Sequence, residues 1–390
     1  MCLSAGSFLS FRASLRNAAP RVRAEICKAM ASGAATSQHH RECARLKRIG
    51  FSALALAAII FVAPIQSVPR KAVKLTVSPS RTFEFTYVVH VPALPAGSRT
   101  MRIWVPLPDT GVHQQITGLH IASPIPYRIA RESRYRNLSA YFDFNPRRAR
   151  APFDIKLTFR ARRYEYKVAL PLGDPAPSPR PFPPNVARFL LPDHLVPING
   201  VIAGLSREQT AGISDPLAKA RKLYDYVIST MHYDHAGTGW GRGDAIFACT
   251  ARHGNCTDFH SLFIGMVRAS GIPARFEIGF PLPLNQRKGK ISGYHCWAEF
   301  YIQGTGWVPV DASEAWQMPA RHNYFFGALD QSRVRFSRGR DLVLNPPQAG
   351  VPLNYFVYPY AELDGKPFAH IGREFSFRDL TPESGSSPAK

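Results

Sequence analysis

One stretch decides how this sequence folds: Gly254-Asn255-Cys256-Thr257-Asp258-Phe259-His260. It places a cysteine between a glycine turn and an apolar pattern with helical spacing, which predicts a helix from about residue 256 to residue 270. Gly271 and Pro273 predict the end of that helix. Two later stretches, residues 294–302 and 307–311, have the composition of strands. The chain therefore carries a cysteine at a helix start, then a strand histidine, then an aspartate on the next strand.

This order of residue types is typical of a nucleophilic triad, here Cys256, His295 and Asp311. A free thiol has a pKa of about 8.5 and is mostly protonated at neutral pH, so a catalytic cysteine needs help to ionise. The positive end of the helix dipole would act on Cys256, and an imidazolium at His295 would add to it. Asp311 would orient the imidazole ring and favour its charged form. We therefore predict that these three residues carry the chemistry.

The strand pair sets a geometric condition on His295 and Asp311. Side chains alternate between the two faces of a strand, so an even number of loop residues would place Asp311 on the face opposite His295. We therefore predict a three-residue loop or a β-bulge in the glycine-containing turn at residues 303–306. The same alternation turns Cys296 away from His295, into the core or into a disulfide.

The motifs around this pattern resemble the transglutaminase-like superfamily, relatives of papain-type cysteine enzymes. The matching motifs are Gly254-Asn255-Cys256-Thr257-Asp258, Arg268-Ala269-Ser270-Gly271-Ile272-Pro273-Ala274-Arg275, His295-Cys296-Trp297-Ala298-Glu299 and Gly306-Trp307-Val308-Pro309-Val310-Asp311. The resemblance implies an α+β fold with a papain-like core, in which the nucleophile helix packs on an antiparallel sheet that carries the histidine and the aspartate. By position, Cys256, His295 and Asp311 match the triad of the family.

The resemblance also implies an oxyanion hole beside the cysteine. The backbone N–H of Cys256 would be one donor. Trp240 and Asn255 are the candidates for a second donor or for the wall of the cleft. Trp240 lies closer to the cysteine than the matching tryptophan of animal transglutaminases does, which favours an aromatic wall.

Patterning divides the rest of the chain into parts. Residues 72–170 show period-two alternation broken by proline and glycine, which predicts an immunoglobulin-like β-sandwich. Residues 171–185 are rich in proline and predict a stiff linker. The transglutaminase-like core then covers residues 186–330. Residues 331–380 predict a C-terminal β extension that packs on the core, and residues 381–390 predict a disordered tail.

The N-terminal residues predict export. Residues 1–44 form a basic extension that is disordered or precedes the true start, and residues 45–67 combine a basic cluster with a short apolar run. This order predicts a signal peptide or an uncleaved membrane anchor, and hence a periplasmic or secreted protein. The formal net charge of +22 suits an anionic envelope or cell wall. Because the basic residues are scattered and no nucleic-acid-binding motif is present, we expect no nucleic-acid partner.

Cysteine usage agrees with an oxidising compartment. Three of the six cysteines lie in the N-terminal part, which leaves Cys249, Cys256 and Cys296 in the mature chain. We expect a Cys249–Cys296 disulfide and a free thiol at Cys256. Reading Cys249, His253, Cys256 and His260 as zinc ligands is an alternative, but their spacing departs from that of the usual zinc finger. We expect no metal and no cofactor, since multi-aspartate calcium loops are also missing from the sequence.

Together these features predict thiol-dependent acyl transfer on a peptide or glutamine amide through a thioester. Transfer to water would make the protein a secreted peptidase or amidase, which we favour. Transfer to a lysine amine would make it a protein-glutamine transglutaminase. A non-catalytic module that binds peptides or cell-wall components is the alternative of another class, and the complete Cys-His-Asp set argues against it.

Overall fold

The computed structural model describes residues 78–148, 151–171 and 181–380. The predicted N-terminal extension at 1–44, the signal or anchor segment at 45–67 and the tail at 381–390 lie outside these residues, as do residues 172–180 of the predicted linker. Within the described ranges, no helix has both the length and the apolar character needed to cross a membrane. The described residues belong to one compact unit.

Helices are concentrated in the middle of the described chain, and strands lie on both sides of them. The helices are α1 (Pro184–Ala187), α2 (Gly200–Gln209), α3 (Pro216–Thr230), α4 (Ala245–Ala251), α5 (Cys256–Ala269) and α6 (Ala312–Gln317), with short 3-10 turns at Pro146–Arg148, Arg188–Leu190 and Pro319–Arg321. The strands are β1 (Ser80–Val91), β2 (Met101–Leu107), β3 (Gln114–Ala122), β4 (Tyr127–Arg131), β5 (Leu138–Phe144), β6 (Phe153–Tyr164), β7 (Tyr166–Lys167), β8 (His232–Tyr233), β9 (His253–Gly254), β10 (Ala274–Pro281), β11 (Lys288–Lys290), β12 (His295–Ile302), β13 (Gly306–Val310), β14 (Ala328–Leu329), β15 (Arg333–Arg338), β16 (Tyr360–Leu363), β17 (Lys366–Pro367) and β18 (Gly372–Asp379).

The part of the molecule that carries the candidate catalytic residues is built on an antiparallel sheet of order β13-β12-β10-β15. Helix α5 packs on β12 and β10, and Phe263 of the helix meets Phe300 of β12 with ring centroids 6.2 Å apart. Burying one such ring stabilises the fold by about 1.5–3 kcal/mol. Nearly every residue of α5 is buried, because α2, α3 and α4 cover its other sides. The predicted packing of the nucleophile helix on an antiparallel sheet is confirmed.

The hairpin between β12 and β13 has the predicted odd loop. Ile302 pairs with Gly306, so residues 303–305 form a three-residue connection, and Ala298 pairs with Val310. Gly304 and Gly306 have φ values of 83° and 97°, which favour glycine. Continued by one residue, this register places Asp311 opposite Trp297, on the face that also carries His295.

The β region before the helices is not a self-contained domain. It contains two five-stranded sheets, of order β11-β18-β1-β6-β3 and β17-β16-β2-β5-β4. Strands β16, β17 and β18 come from the C-terminal end of the described chain, and β11 comes from the segment between β10 and β12. Side chains from both sheets join one hydrophobic cluster that also includes the core sheet. An immunoglobulin-like sandwich preceding the core is therefore not confirmed.

The C-terminal residues also differ from the prediction of one β extension packed on the core. β15 lies beside β10 in the core sheet, whereas β16 pairs with β2 and β18 pairs with β1. Residues 341–344 and 354–358, which alternate like strands, form only an isolated bridge between Leu342 and Leu353 and an irregular segment. Period-two alternation shows which side chains are buried, but it does not identify the partner strand.

Charged side chains fill part of the boundary between the β region and the core sheet. Glu277 of β10 lies 2.7 Å from Nε of Arg338, 3.4 Å from Nη1 of Arg335 and 3.6 Å from Nε of Arg275. Arg335 also donates to Asp109 of the β region over 2.6 Å. Burial by itself would raise the pKa of Glu277, but the three guanidinium charges outweigh it and hold this pKa well below its usual range. This network joins the two parts of the molecule.

Candidate active site

The start of α5 is built by a capping arrangement around Cys256. Asn255 is the N-cap, and its Oδ1 accepts the N–H of Thr257 over 2.9 Å. In return, Oδ2 of Asp258 accepts the N–H of Asn255 over 2.9 Å. Gly254 has φ +147°, and a Cβ there would collide with the Asp258 carboxylate, so the turn requires glycine. Cys256 thus occupies the first helical position, where the dipole is strongest.

Asp258 also anchors the glycine-rich loop before the helix. Its two carboxylate oxygens accept the N–H groups of Gly241 and Gly243 over 2.6 and 2.9 Å. Burial raises its pKa, although these hydrogen bonds oppose the shift. Asp258 therefore acts in capping the helix and in placing the loop.

The structure brings the three candidate catalytic side chains together. His295 Nε2 lies 2.7 Å from Oδ2 of Asp311, and the Cys256 thiol is close enough to the imidazole to help raise the pKa of His295. Because Nε2 faces the carboxylate, Nδ1 is the nitrogen that faces the thiol. Cys256 is 2% exposed and His295 is 5% exposed, while Asp311 is fully buried. The sequence argument from strand parity thus leads to the observed geometry.

Asp311 is held by contacts that the sequence pattern did not indicate. Arg333 Nη1 donates to Oδ2 over 2.8 Å, and the N–H of Glu314 donates to Oδ1 over 3.0 Å as the cap of α6. The guanidinium of Arg333 also lies 5.2 Å from the centre of the Trp297 ring. Arg333 comes from β15, outside the matching motifs, and carries no local sequence signal.

These contacts set the charge states of the site. Burial would raise the pKa of the Cys256 thiol, but hydrogen bonds from Cys296 and His295 and the imidazolium charge lower the pKa to about 6. Burial opposes the charged form of His295, but Asp311 and the thiol raise its pKa well above the usual value. The pKa of Asp311 is held below its usual range, because His295 and Arg333 outweigh burial. The site therefore favours a thiolate–imidazolium pair at neutral pH.

The two candidate oxyanion residues already have partners. The indole N–H of Trp240 donates to the carbonyl of Gly237 over 3.2 Å, and its ring stacks on His235 at 4.3 Å. The side-chain amide of Asn255 donates to the hydroxyl of Tyr294 over 3.0 Å. In this arrangement the backbone N–H of Cys256, in the first helical turn and without an intrahelical acceptor, is the donor available to an oxyanion.

The expected Cys249–Cys296 disulfide is wrong: Cys249, Cys256 and Cys296 are all free thiols. Cys249 is half-buried on α4, whereas Cys296 is fully buried on β12 under α5. There its sulfur lies 3.5 Å from Nδ1 of His260. Strand alternation correctly predicted that the Cys296 side chain points away from that of His295. It did not predict that helix α5 would cover Cys296.

His260, which the sequence analysis considered as a possible zinc ligand, is a further residue of the site. Its Nδ1 lies 2.7 Å from the carbonyl oxygen of Cys256, and its Nε2 lies 3.1 Å from the N–H of Ala312. Burial lowers its pKa to about 4. Across residues 78–148, 151–171 and 181–380, no group of three or more His, Cys, Asp or Glu side chains could hold a metal ion.

An aromatic wall closes one side of the site. We give this name to Tyr294, Tyr355 and Tyr358. The hydroxyls of Tyr294 and Tyr355 donate to the carbonyl of Gly241 over 3.4 and 3.3 Å. The Tyr358 hydroxyl accepts the N–H of Tyr294 over 3.3 Å. Two of the three tyrosines lie after residue 331, so the C-terminal segment contributes to the site.

Comparison with known proteins agrees with this geometry. Residues 203–312 match the model of the transglutaminase-like superfamily, a span that includes Cys256, His295 and Asp311. An uncharacterized protein of Haemophilus influenzae is 28% identical over 332 residues, covering 76% of this chain and 89% of the relative.

Solved structures give a fold-level comparison. A Cytophaga hutchinsonii protein described as a candidate cysteine protease superposes with a TM-score of 0.52 at 17% identity, covering 78% of this chain and 92% of that one. The periplasmic domain of TgpA from Pseudomonas aeruginosa is 20% identical over 60% of this chain and 89% of that chain, with a TM-score of only 0.32. At this sequence identity, the first comparison shows a similar fold and nothing about function. The TM-score of the second comparison is too low to support a conclusion. Residues 203–312 of this chain are a core domain of the transglutaminase-like superfamily.

Proposed function

We propose that this protein is a cysteine-dependent enzyme that acts on peptide or glutamine amides through a thioester, with water as its main acyl acceptor. The observation that carries the proposal is the placement of Cys256 beside His295, whose Nε2 lies 2.7 Å from Asp311 Oδ2. A thiol with a pKa of about 6 is mostly ionised at neutral pH, which is the state needed for nucleophilic attack. A buried thiol without an imidazole partner would remain protonated.

In the first half-reaction, the Cys256 thiolate attacks the amide carbon. A C–S bond forms while the carbonyl electron pair moves to oxygen, and the N–H of Cys256 donates to the resulting oxyanion. When the oxyanion collapses, the C–N bond breaks, and the proton on Nδ1 of His295 passes to the departing nitrogen. Ammonia or an amine leaves, and His295 becomes neutral.

In the second half-reaction, water attacks the thioester. Nδ1 of His295 takes one proton from that water, the C–S bond breaks, and the carboxylic acid leaves. The thiolate and the imidazolium are regenerated. Asp311 stays ionised throughout, because His295 and Arg333 stabilise its charge, and it keeps Nδ1 directed at the sulfur.

A cleft of about 440 Å³ lies beside the segment that leads to His295, and we propose that it receives part of an extended peptide. Its lining includes Ser292, three residues before His295, and Tyr358 of the aromatic wall. The Arg373 guanidinium lies over the Tyr358 ring at 3.7 Å, and Lys290 and Glu374 line the same cleft, which gives it an aromatic surface with charges of both signs. We propose that the peptide enters along this cleft and reaches the thiol past the aromatic wall.

We further propose that the protein acts in the periplasm or outside the cell on peptide or protein substrates of the envelope. The support is the basic cluster followed by an apolar run at residues 45–67, together with the net charge of +22. Fractionation of cells that express the full chain tests the location, and recovery in the cytosolic fraction would contradict it.

The reaction is tested by incubating the full chain with glutamine-containing peptides, with and without a primary amine, and measuring product masses. We expect cleavage or deamidation that is lost in Cys256→Ala and retained in Cys249→Ala. A mass gain equal to the amine minus ammonia would instead identify transamidation. No product in either condition, with Cys256 no more reactive to iodoacetamide than Cys249, would favour a non-catalytic binding module.

A further inference from the structure

A second carboxylate faces the nitrogen of His295 that Asp311 holds. Glu314 lies in the first turn of α6, and its Oε1 lies 3.9 Å from Nε2 of His295. That distance is too long for a hydrogen bond, so Glu314 acts on the imidazole through its charge, while Asp311 Oδ2 at 2.7 Å accepts the N–H. The helix cap fixes this placement, because Oδ1 of Asp311 accepts the backbone N–H of Glu314 over 3.0 Å. The two half-reactions described above do not use Glu314.

The negative charge of Asp311 is shared with arginine. Nη1 of Arg333 lies 2.8 Å from Oδ2 of Asp311, and Nε of Arg333 lies 3.6 Å from Oδ1 of Asp330. Nη1 of Arg321 lies 3.3 Å from the other oxygen of Asp330. Two aspartates and two arginines therefore form a group with no net charge. Asp311 still orients the imidazole and favours its charged form, but Arg333 offsets part of that effect.

Glu314 has no such compensation. In the described part of the chain, its ion-pair partner is His295, and its side chain is 21% exposed whereas that of Asp311 is fully buried. Burial raises the pKa of Glu314, and the charge of His295 opposes that shift. His260 lies 3.6 Å from Asp311, but burial lowers the pKa of His260 to about 4 and keeps it neutral. The titratable and charged groups around the imidazole and Glu314 are Cys256 and His260 of α5, Asp311, Arg333 of β15, Asp330, and Tyr233 of β8, whose pKa burial raises.

The charge of Glu314 matters most when the thiolate is absent. In the resting site the imidazolium faces the Cys256 thiolate. In the thioester the sulfur carries no charge, and water attacks as His295 takes its proton and becomes an imidazolium again. The water oxygen bonds to the carbonyl carbon, and the negative charge lies on the carbonyl oxygen near the N–H of Cys256 until the C–S bond breaks.

We infer that Glu314 is a positioning residue for hydrolysis, whose carboxylate stabilises the imidazolium that forms at His295 when water attacks the thioester. This role rests on the proposed function, since it requires a thioester at Cys256 and water as the acceptor. The two carboxylates then have different tasks. Asp311 fixes the direction of the ring, and Glu314 raises the strength of the base.

Removing this charge in Glu314→Gln should make His295 a weaker base. Its pKa in the thioester form should fall by about one unit, because the two groups lie 3.9 Å apart at a partly exposed position. A weaker base takes the proton of water more slowly, so we expect the maximal rate of thioester hydrolysis to fall about threefold. A weaker base also stays neutral to lower pH, so near about pH 5 the variant should hydrolyse the thioester about threefold faster than wild type. A merely structural role would slow hydrolysis at every pH.

The experiment acylates the full chain with p-nitrophenyl acetate, which releases p-nitrophenolate and leaves an acetyl thioester. Excess reagent is removed by rapid desalting, and loss of the acetyl group is followed by intact mass from about pH 5 to about pH 9, on both sides of the ordinary histidine pKa. Peptide mapping assigns the acetyl group to Cys256. Crossed profiles of wild type and Glu314→Gln support the inference.

Two further variants serve as references. Glu314→Asp keeps the charge on a shorter side chain, and we expect a smaller shift than in Glu314→Gln. Glu208→Gln makes the same change of charge on the exposed surface of α2 and should leave the profile unchanged.

Two outcomes would overturn the inference while leaving the proposed function standing. One is a Glu314→Gln profile that coincides with that of wild type or lies below it at every pH. The other, measured on wild type and so independent of how the variants fold, is a midpoint of thioester hydrolysis well below the ordinary histidine pKa of about 6.5. A wild-type Cys256 that takes up no acetyl group, or never releases it to water, would overturn the proposed function and this inference together.

Discussion

Two buried carboxylates on the same face of the core sheet have different surroundings. Glu277 is paired across the strands with Trp297, and Asp311 lies opposite Trp297 from the other side. Both have arginine neighbours and a pKa held below the usual range. The ion-pair partners of Glu277 are all guanidinium groups, which keep their charge at all relevant pH values. Asp311 faces one guanidinium and two imidazoles, with Nε2 of His295 at 2.7 Å and Nε2 of His260 at 3.6 Å.

The difference shows that a shifted carboxylate pKa does not by itself mark a catalytic site. A network of arginines around Glu277 can stabilise the boundary between two parts of the protein, but it has no proton to transfer. The network around Asp311 includes His295, whose second nitrogen reaches a thiol. The presence of a titratable partner that contacts a nucleophile separates the two cases.

The largest expected effect is that of removing this titratable partner. We expect His295→Ala to lower kcat by about 10,000-fold or more, because the variant loses the imidazolium that activates the thiol and protonates the leaving nitrogen. Alkylation of Cys256 at neutral pH should also fall, since the thiol loses the imidazolium. Both are measured on the folded variant, with Cys256→Ala as the background. Activity within tenfold of wild type would contradict the assignment.

Asp311→Asn should have the next largest effect. Asparagine can keep the cap on Glu314 through its oxygen, but it removes the charge that stabilises the imidazolium and orients Nδ1. We expect kcat to fall by about 100- to 10,000-fold. Steady-state kinetics on the variant measure this loss. A variant that folds like wild type and keeps its kcat would place the orientation of His295 elsewhere, with Glu314, whose Oε1 lies 3.9 Å from Nε2, as the first residue to examine.

The pH dependence of turnover should report the thiol. The pKa of Cys256 is lowered to about 6, so the thiolate forms above that value, and kcat/KM should fall about tenfold for each unit below it. The pKa of His295 is raised, so the imidazolium persists above neutral pH and the alkaline limb should lie well above pH 7. The rate profile from acid to alkaline pH tests both limbs. An acid limb near the ordinary thiol value would rule out the ion pair.

Glu277→Gln should have the smallest effect on catalysis and a clear effect on stability. We expect kcat within about threefold of wild type, but a loss of about 2–4 kcal/mol of folding free energy, because three half-buried arginines lose the buried carboxylate that they share. The folded pKa of Glu277 is depressed, so its contribution is present above the unfolded value of about 4.3 and lost as pH falls through the folded value.

Denaturant unfolding of wild type and Glu277→Gln at several pH values measures this contribution. The difference between the two proteins should be largest above about pH 5 and shrink on acidification. A large loss of kcat in the folded variant would show that the two networks are coupled through Trp297.

Much of the local structure was predictable because it depends on neighbours in the chain. The bounds of α5 follow from Asn255 and the apolar spacing after it, and the odd hairpin loop follows from the chemical requirement that His295 and Asp311 share a face. The pairing of β18 with β1 was not predictable from the same alternation. The wrong Cys249–Cys296 disulfide has the same origin: alternation says that a side chain is buried, not what lies against it.

The sequence by itself determined which side chains form the candidate triad, Cys256, His295 and Asp311, because their meeting depends on residue type, helix capping and strand parity over short distances. Tertiary structure alone decided that Arg333 donates to Asp311 and that His260 contacts both Cys256 and Ala312. It also decided that tyrosines after residue 331 form part of the aromatic wall. These contacts join residues far apart in the chain. They form because burying apolar surface and pairing buried charges select one packing among many, and no local pattern records that selection.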